Sequence, residues 1–265
     1  MMATKADDLE AGGMATAMPT VLVTGASRGI GLATALYFLR EGYRVVMADR
    51  SPIDVETAAL MPFCDRILPI TVDVTDMAAV HAMHDAIKTR WGRLQVLVNN
   101  AGISFKQPNG SASTLINMTD EEWDSVLAVN LTAVARLCRL FLPEMKEAGY
   151  GRIVNVSSLA GRTRSRVAGP AYVATKAAII GLTRSIASDF GRNGITANCV
   201  APGRIISAMS GPADTPLNQD YLRQIPSARF GTVDEVAAAI GYLASDAAGF
   251  VNGAVIDVNG GAFMA

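Results

Sequence analysis

Short apolar runs rich in β-branched residues alternate with longer amphipathic patterns along most of the chain. These two periodicities distinguish buried strands from helices. The runs that predict strands lie at residues 21–23, 45–47, 67–72, 94–98, 153–156, 195–200 and 255–258. The patterns that predict helices lie at residues 30–40, 77–91, 119–145, 171–190 and 233–243, and a capping box is predicted at Thr119 and Glu122. Strands that are apolar on both faces and separated by helices predict an α/β fold. We expect a doubly wound parallel sheet of about seven strands with helices on both faces.

Length and composition indicate one large domain. Half of the 265 residues are apolar and 18% are charged, so the chain can bury a sizeable core. No linker interrupts residues 19–265, whereas residues 1–18 show no periodicity and are expected to form a flexible tail. Residues 204–231 contain three prolines and are expected to form a mobile lid over a binding site.

Charge and cysteine usage exclude several kinds of protein. The formal net charge of −1 offers no basic surface, so neither nucleic acid nor an anionic membrane is an expected partner. Cys64, Cys138 and Cys199 form no Cys-x-x-Cys pair, which indicates reduced thiols that serve as small buried side chains. The chain contains no run of about 18 apolar residues and no signal-peptide pattern, so we expect a cytoplasmic protein.

A glycine-rich loop, Thr24-Gly25-Ala26-Ser27-Arg28-Gly29-Ile30-Gly31, joins the first strand to the first helix. Glycines allow a tight turn, a close approach of the backbone to phosphates, and close packing of helix on strand, and the helix N-terminus attracts anions. Asp49 follows about 20 residues later, where an acidic side chain can accept hydrogen bonds from ribose hydroxyls. The loop therefore predicts a dinucleotide site.

The same loop also matches the Gly-x-Ser-x-Gly pattern around the nucleophile of an α/β-hydrolase. Such an enzyme needs a general-base histidine late in the chain, yet the two histidines, His81 and His84, lie early, on a predicted helix. The hydrolase alternative fails on this point. The two histidines could form a metal pair, but no further ligand lies near them, so we predict a solvated helix face and no metal site.

Tyr172 and Lys176 are separated by one helical turn and therefore share a face of the predicted helix at 171–190. A tyrosine with its usual pKa of about 10 is a poor acid or base at neutral pH. An adjacent cation stabilises the phenolate and would lower that pKa. The pair therefore predicts a proton-transfer site.

The ordered set of motifs resembles the short-chain dehydrogenase/reductase family over roughly residues 20–262. The motifs are the glycine loop, Asp73-Val74, Asn99-Asn100-Ala101-Gly102, Asn130, Ser157-Ser158, Tyr172 with Lys176, and Pro202-Gly203. The resemblance implies a Rossmann fold and an NAD(P)-dependent oxidoreductase that transfers a hydride between the nicotinamide and an alcohol/ketone pair. The interval between Ser158 and Tyr172 is about one residue longer than is usual in the family.

The resemblance implies catalytic roles for Asn130, Ser158, Tyr172 and Lys176. Tyr172 would be the acid in reduction and the base in oxidation, and Ser158 would hold the substrate oxygen, with Ser157 as the fallback. Lys176 would hold the nicotinamide ribose and lower the pKa of Tyr172, while Asn130 anchors a water. The implied cofactor-binding residues are Gly25, Ser27, Arg28, Gly29, Ile30, Gly31, Asp49, Arg50, Asp73, Val74, Asn100, Ala101, Gly102, Tyr172, Lys176, Pro202, Gly203, Ile205 and Ser207.

Some of these polar residues also have purely structural interpretations. Asn99 and Asn198 can brace turns or strands, and Asp73 can cap a helix. The cofactor itself is predicted as NAD because Asp49 would repel a 2′-phosphate. Arg28 and Arg50 keep NADP open as the alternative, since arginines are the residues that bind such a phosphate.

The substrate is less determined than the cofactor. Arg162, Arg164 and Arg166 would point the same way in an extended segment and could grip an anion, or they could simply be solvated. The alternatives for function are a 3-oxoacyl-(acyl-carrier-protein) reductase and a nucleotide-sensing module that has lost its chemistry. The resemblance also implies a homotetramer formed through the helices at 119–145 and 171–190.

Overall fold

Seven parallel strands form one sheet in the computed structural model, which describes residues 18–107, 110–165, 167–206, 210 and 214–265. The strand order is β3-β2-β1-β4-β5-β6-β7. The strands are β1 (Thr20–Thr24), β2 (Arg44–Asp49), β3 (Ile67–Thr71), β4 (Val96–Asn99), β5 (Gly151–Val156), β6 (Ile195–Pro202) and β7 (Val255–Val258). The prediction of a doubly wound parallel sheet is confirmed.

Helices cover both faces of the sheet because their apolar sides complement strands that are apolar on both faces. The helices are α1 (Gly29–Arg40), α2 (Met77–Trp91), α3 (Asp120–Leu127), α4 (Ala133–Glu147), α5 (Pro170–Phe190), α6 (Pro216–Leu222) and α7 (Val233–Ala244). One core cluster packs α1 and α7 against the sheet, and the other packs α2, α4 and α5 against the opposite face.

The strand order reverses direction between β1 and β4, which are neighbours in the sheet. In doubly wound folds, ligands bind beyond the carboxyl ends of the strands at this switch point. The glycine loop follows β1 and the Asn99-to-Gly102 segment follows β4, so the fold brings both motifs to that place.

The predicted helix at 119–145 is interrupted. A π-helical turn, Ala128–Thr132, separates α3 from α4 and contains Asn130. π turns are rare and occur frequently at functional sites, and their wider hydrogen-bond spacing leaves no distinctive residue pattern. The prediction of one regular helix is therefore wrong at its centre.

The predicted capping box at Thr119 forms only in part. The Thr119 hydroxyl accepts a hydrogen bond from the Glu122 backbone N–H at 3.1 Å. The buried Glu122 carboxylate, however, accepts a hydrogen bond from the Ser113 hydroxyl at 2.6 Å, because a loop partner competes for it. A complete capping box occurs instead at Thr232 and Glu235, where α7 begins.

The segment Asp120–Glu147, which combines α3, the π turn and α4, is long and apolar enough to cross a membrane by length and composition alone. Nearly half of its most apolar window is buried inside the fold. Val134, Leu137 and Phe141 belong to the core beside the sheet. Core helices of folded domains meet the same criterion, so the segment is explained by its packing.

The histidine and cysteine predictions hold only in part. His84 is 14% exposed rather than solvated, and its Nε2 lies 3.0 Å from the Glu144 carboxylate on α4. Cys138 and Cys199 are buried as expected, but Cys64 is exposed. Both differences arise from neighbouring elements, which a local pattern does not reveal.

Candidate active site

The glycine loop turns sharply at the switch point. Gly25 and Gly29 have φ values of +67° and +58°, a region that favours glycine. A Cβ at Gly31 would lie 2.0 Å from the Gly25 carbonyl oxygen, so helix α1 can begin this close to the loop only with glycine there. The loop therefore presents open backbone at the N-terminus of α1, the arrangement that binds phosphates.

Asn100 attaches this loop to the end of β4. Its Nδ2 donates to the Thr24 and Gly25 carbonyls at 2.8 and 3.1 Å. In return, the Thr24 hydroxyl accepts hydrogen bonds from the backbone N–H groups of Asn100 and Ala101, both at 3.1 Å. The Asn100 side chain thus holds the loop in shape.

A cavity of about 250 Å³ lies beside the loop, and we call it the glycine-loop cavity. It collects every cofactor-binding residue predicted between 25 and 102 except Ser27, and it adds four that the sequence did not predict, which are Ser51, Val72, Ile103 and Val129. Ser27 lies behind the cavity wall, where its backbone N–H donates to Asp49 at 3.0 Å.

Two carboxylates border the glycine-loop cavity. Burial tends to raise the pKa of Asp49, but the backbone N–H groups of Ser51 and Ser27, the Ser27 hydroxyl and the Arg28 charge outweigh it and lower that pKa. The Thr75 hydroxyl and backbone N–H lower the pKa of Asp73. Both carboxylates are therefore charged at neutral pH, and they share the cavity wall with Arg28 and Arg50.

A second cavity, of about 200 Å³, lies beside Tyr172, and we call it the tyrosine cavity. Its wall includes Ser158, Tyr172, Lys176, Pro202, Gly203 and Ile205, together with residues from the loop after β4 and from α6. Ile30, Asn100 and Gly102 line both cavities, so the two meet there. A Cβ at Gly102 would lie 3.4 Å from Lys176 Nζ, and larger side chains would project into the junction.

Ser158 and Tyr172 meet at the wall of the tyrosine cavity. Burial raises the pKa of the Tyr172 phenol, and a hydrogen bond with Ser158 opposes that rise. The Ser158 hydroxyl also accepts the Ala160 backbone N–H at 3.1 Å, which fixes its position after β5. Ser157 is buried, and its hydroxyl donates to the Lys176 carbonyl at 2.7 Å, so it braces α5.

Lys176 is 3% exposed. Its Nζ donates to the Val156 carbonyl at 2.8 Å and lies 5.5 Å from the centre of the Tyr172 ring. Burial lowers its pKa to about 8. The expected lowering of the Tyr172 pKa by Lys176 is not found in the protein alone, because desolvation of the phenol dominates.

Asn130 is fully buried in the π turn. Its side chain accepts the Ile103 backbone N–H at 2.8 Å and donates to the Ile103 carbonyl at 2.9 Å. Its Nδ2 also lies 3.4 Å from the Thr175 hydroxyl, on the helix that carries Tyr172 and Lys176. Asn130 therefore connects the loop after β4 to α5, the helix that carries Tyr172 and Lys176.

Known proteins of one family are similar to this chain over most of its length. A family model described as enoyl-(acyl carrier protein) reductase matches residues 25–262. The chain belongs to the short-chain dehydrogenase/reductase family. A 3-oxoacyl-(acyl-carrier-protein) reductase of Staphylococcus aureus (strain Mu50 / ATCC 700699) is 39% identical over 254 residues, which cover 92% of this chain and 98% of that protein.

Two solved structures resemble this short-chain dehydrogenase/reductase closely. Levodione reductase has a TM-score of 0.84 at 32% identity and covers 92% of this chain and 96% of its own. A 3-oxoacyl-(acyl-carrier protein) reductase with bound NAD from Brucella melitensis has a TM-score of 0.82 at 38% identity, with 93% and 92% covered. The prediction of an NAD(P)-dependent oxidoreductase is confirmed at the level of the family.

Two further predicted site residues of this short-chain dehydrogenase/reductase, Gly203 and Ile205, lie just after the end of β6. Gly203 closes the end of β6, where a Cβ would lie 2.7 Å from the Asn259 side chain. Ile205 forms a bridge with Gly231 that joins the two ends of the predicted lid. Ser207 and Arg166 lie outside the described residues.

Asn99 and Asn198 act as braces rather than as binding residues. The Asn99 side chain donates to Asn155 Oδ1 on the neighbouring strand at 2.8 Å. Asn198 donates to the Val251 carbonyl at 2.7 Å and accepts the Ala254 backbone N–H at 2.9 Å. Their structural interpretation is therefore supported.

The extended segment that would align the arginines after Ser158 is not found at Arg162. Arg162 pairs with Asp257 of β7 at 3.0 Å, and its guanidinium lies 5.2 Å from the centre of the Phe263 ring. Its backbone has φ −104° and ψ −29°, so the segment is not extended there. Arg164, by contrast, is exposed and lines the tyrosine cavity. Alternation along a strand therefore does not apply to this turn.

Proposed function

We propose that the chain reduces a ketone to an alcohol, or oxidises the alcohol, with Tyr172 as the proton donor and acceptor and with NAD as the preferred cofactor. The observation that carries this proposal is the junction of the two cavities. Tyr172 and Ser158 line one cavity together, and Gly102 lies where that cavity meets the other beside the glycine loop.

The residues of the glycine-loop cavity suit a dinucleotide. Gly31 keeps the loop clear of side chains, and the N-terminus of α1 faces the place for a pyrophosphate. Asp49 suits ribose hydroxyls, and Asp73 with Val74 suits the adenine end. Gly102 keeps the junction with the tyrosine cavity clear for a nicotinamide.

A nicotinamide bound at the junction would supply or accept the hydride. Ser158 donates a hydrogen bond to the substrate oxygen, and Tyr172 gives that oxygen a proton in reduction and removes it in oxidation. The raised pKa keeps Tyr172 protonated at neutral pH, which favours its role as an acid. Lys176, charged below a pH of about 8, holds the ribose next to the nicotinamide.

The remaining members of the site position these groups. The Asn130 side chain is occupied by Ile103, so a water that links Lys176 to solvent would be held by the Asn130 main chain. Pro202, Gly203 and Ile205 border the nicotinamide end of the tyrosine cavity. We retain the proposal that Ser207 binds the cofactor, as the family resemblance implies.

NAD is favoured over NADP by the charge at Asp49. Its carboxylate is fixed by two backbone N–H groups and is ionised, whereas Arg28 and Arg50 are exposed and not held in place. A neighbour solved with bound NAD supports the same choice. The arginines would provide the phosphate contacts if NADP were the cofactor.

A 3-oxoacyl-(acyl-carrier-protein) reductase is the second candidate, because the Staphylococcus aureus relative has that name. A turnover screen decides between them. We would measure oxidation of NADH and NADPH with small ketones, a 3-oxoacyl N-acetylcysteamine thioester and the corresponding carrier-protein thioester. Turnover of free ketones supports the main proposal, and turnover of carrier-bound substrate alone supports the second. A chain inactive with every substrate and cofactor would be the sensing module.

We also propose a cytoplasmic homotetramer. Ala174, Ala177, Ala178 and Gly181 form an exposed, small-residue face on α5, which allows close contact with a second copy. Multi-angle light scattering at micromolar concentration tests the assembly, and a mass near that of one 27.8 kDa chain would contradict it.

A further inference from the structure

The charged side chains described in the wall of the tyrosine cavity are all positive. Lys106, Arg164 and Arg204 line it together with Lys176, and no acidic side chain is found among the described residues of its wall. Lys176 is accounted for by the proposed chemistry. The other three come from separate loops, after β4, after β5 and after β6, and converge on the same space.

Arg204 is held in position by neutral groups. It is half-buried, its Nε donates to Asn218 Oδ1 at 2.6 Å, and its Nη2 donates to the Ser210 carbonyl at 2.9 Å. Asn218 is completely buried, and the guanidinium also lies 5.4 Å from the centre of the Tyr221 ring. Within the described part of the chain, Arg204 forms no ion pair. The contacts orient its charge without neutralising it.

Lys106 lines the same cavity and is close enough to Arg204 for the two charges to interact. Its Nζ donates to the Val167 carbonyl, which is also a neutral acceptor. Burial and the repulsion of Arg204 both lower the pKa of Lys106. Lys106 is exposed and Arg204 is half-buried, and an anion placed between them would be attracted to both charges and relieve their mutual repulsion.

We propose that the substrate of this site is an oxo acid, whose carboxylate binds Lys106 and Arg204 while its carbonyl lies at Ser158 and Tyr172. The proposal rests on the proposed ketone reduction and names its substrate class. A carboxylate matches the fork of a guanidinium and would form charge-assisted hydrogen bonds with both cations. An uncharged acyl chain at the same place would provide no negative charge to either cation.

The test compares each straight-chain oxo acid, from 2-oxobutanoate to 6-oxoheptanoate, with its methyl ester. Reduction is measured with the wild type, Arg204→Met, Lys106→Gln and the control Arg223→Gln, which removes one exposed positive charge at the end of α6 but does not line the cavity. Acetoacetyl coenzyme A and the neutral acetoacetyl N-acetylcysteamine thioester form a second pair.

We expect the wild type to prefer at least one acid to its ester by about ten- to hundredfold in kcat/KM. Arg204→Met should bring this ratio below about threefold, mainly through the KM of the acid, and Lys106→Gln should reduce it less. Arg223→Gln should retain it. Arg204→Lys, which keeps the charge but not the fork, should restore part of the preference.

Three outcomes would overturn the inference. Equal turnover of acids and esters would refute recognition of the carboxylate and leave the proposed ketone reduction standing. If no ketone were reduced, the proposed function itself would be refuted. Calorimetric titration of the acids into the NADH complex gives a second readout, and equal affinities for wild type and Arg204→Met would exclude the carboxylate site. A charge preference confined to coenzyme A would assign the cations to its phosphates instead.

Discussion

The glycine-loop cavity and the tyrosine cavity share three residues but differ in charge and in origin. The first has charges of both signs: Arg28 and Arg50 line it with two ionised carboxylates, Asp49 and Asp73. Backbone N–H groups of Ser27 and Ser51 hold Asp49, and the backbone N–H and hydroxyl of Thr75 hold Asp73. The second has cations held by carbonyls and an amide on distant loops. The glycine-loop cavity is lined mainly by sequence motifs at the ends of β1 to β4. Apart from Lys176, the cations of the tyrosine cavity come from loops and belong to no such motif.

This difference separates two tasks. In the proposed function, the carboxylates would favour neutral ribose hydroxyls and disfavour an extra phosphate, and the cations would favour an anionic substrate. The proposed proton transfer lies near the junction, where Lys176 is close both to Gly102 and to the Tyr172 ring. Substitutions on either side should therefore change different kinetic constants, and those at the junction should change both.

The largest effect is expected at Tyr172. Tyr172→Phe removes only the hydroxyl that transfers the proton, so kcat should fall by at least about a hundredfold. The dissociation constant of NADH, measured by fluorescence, should stay within a few-fold. Tyr242→Phe, at an exposed position on α7, is the matched control. Activity above about a tenth of wild type would contradict the assignment.

The next effect concerns the glycine-loop cavity alone. Asp49→Ala should shift kcat/KM toward NADPH by about ten- to hundredfold, because a repulsion disappears and Arg28 and Arg50 can pair with the phosphate. The change should occur in the KM of the cofactor and leave the oxo-acid preference unaltered. Asp54→Ala, in the loop after β2, serves as the control. If the wild type already preferred NADPH, Arg50 would replace Asp49 as the discriminating residue.

Lys176→Met tests the junction. We expect slower turnover and roughly tenfold weaker NADH binding, because the proposed charge on the ribose is lost. The variant should nevertheless be more stable, since lowering a lysine pKa from 10.5 to about 8 costs the folded state about 3 kcal/mol at neutral pH. Lost packing and the lost bond to Val156 will reduce that gain.

Denaturant titration would measure this gain, and its pH dependence has a defined sign. The penalty of the buried charge is full below pH 8 and disappears as the pH rises toward 10.5, so the stability of the two proteins should converge there. A variant less stable than wild type at pH 7 would show that the Val156 contact outweighs desolvation.

The smallest effect is the pH dependence of cofactor binding in the wild type. Lys176 loses its charge as the pH passes about 8, so the dissociation constant of NADH should rise a few-fold between pH 7 and pH 9. Lys176→Met should show no such rise over the same interval. A parallel rise in both proteins would assign the dependence to another group.

Much of the molecule could be predicted from local patterns. The strands and the large helices were placed to within a few residues, because burial on both faces and amphipathic periodicity leave direct marks in the chain. Most residues that line the glycine-loop cavity were named in advance from the family resemblance and the glycine-loop pattern. Its contacts lie at strand ends and in tight turns, where glycine and aspartate have specific backbone roles.

The tertiary structure decided what depends on partners from distant parts of the chain. Only the folded structure shows that Arg162 pairs with Asp257, that His84 contacts Glu144 and that Glu122 accepts a hydrogen bond from Ser113. It also shows the π turn at Asn130. It also brought Lys106 and Arg204 together on one wall. Neither residue carries a motif, because the energy of a charge depends on which groups surround it after folding, and residues nearly 100 positions apart provide those surroundings here.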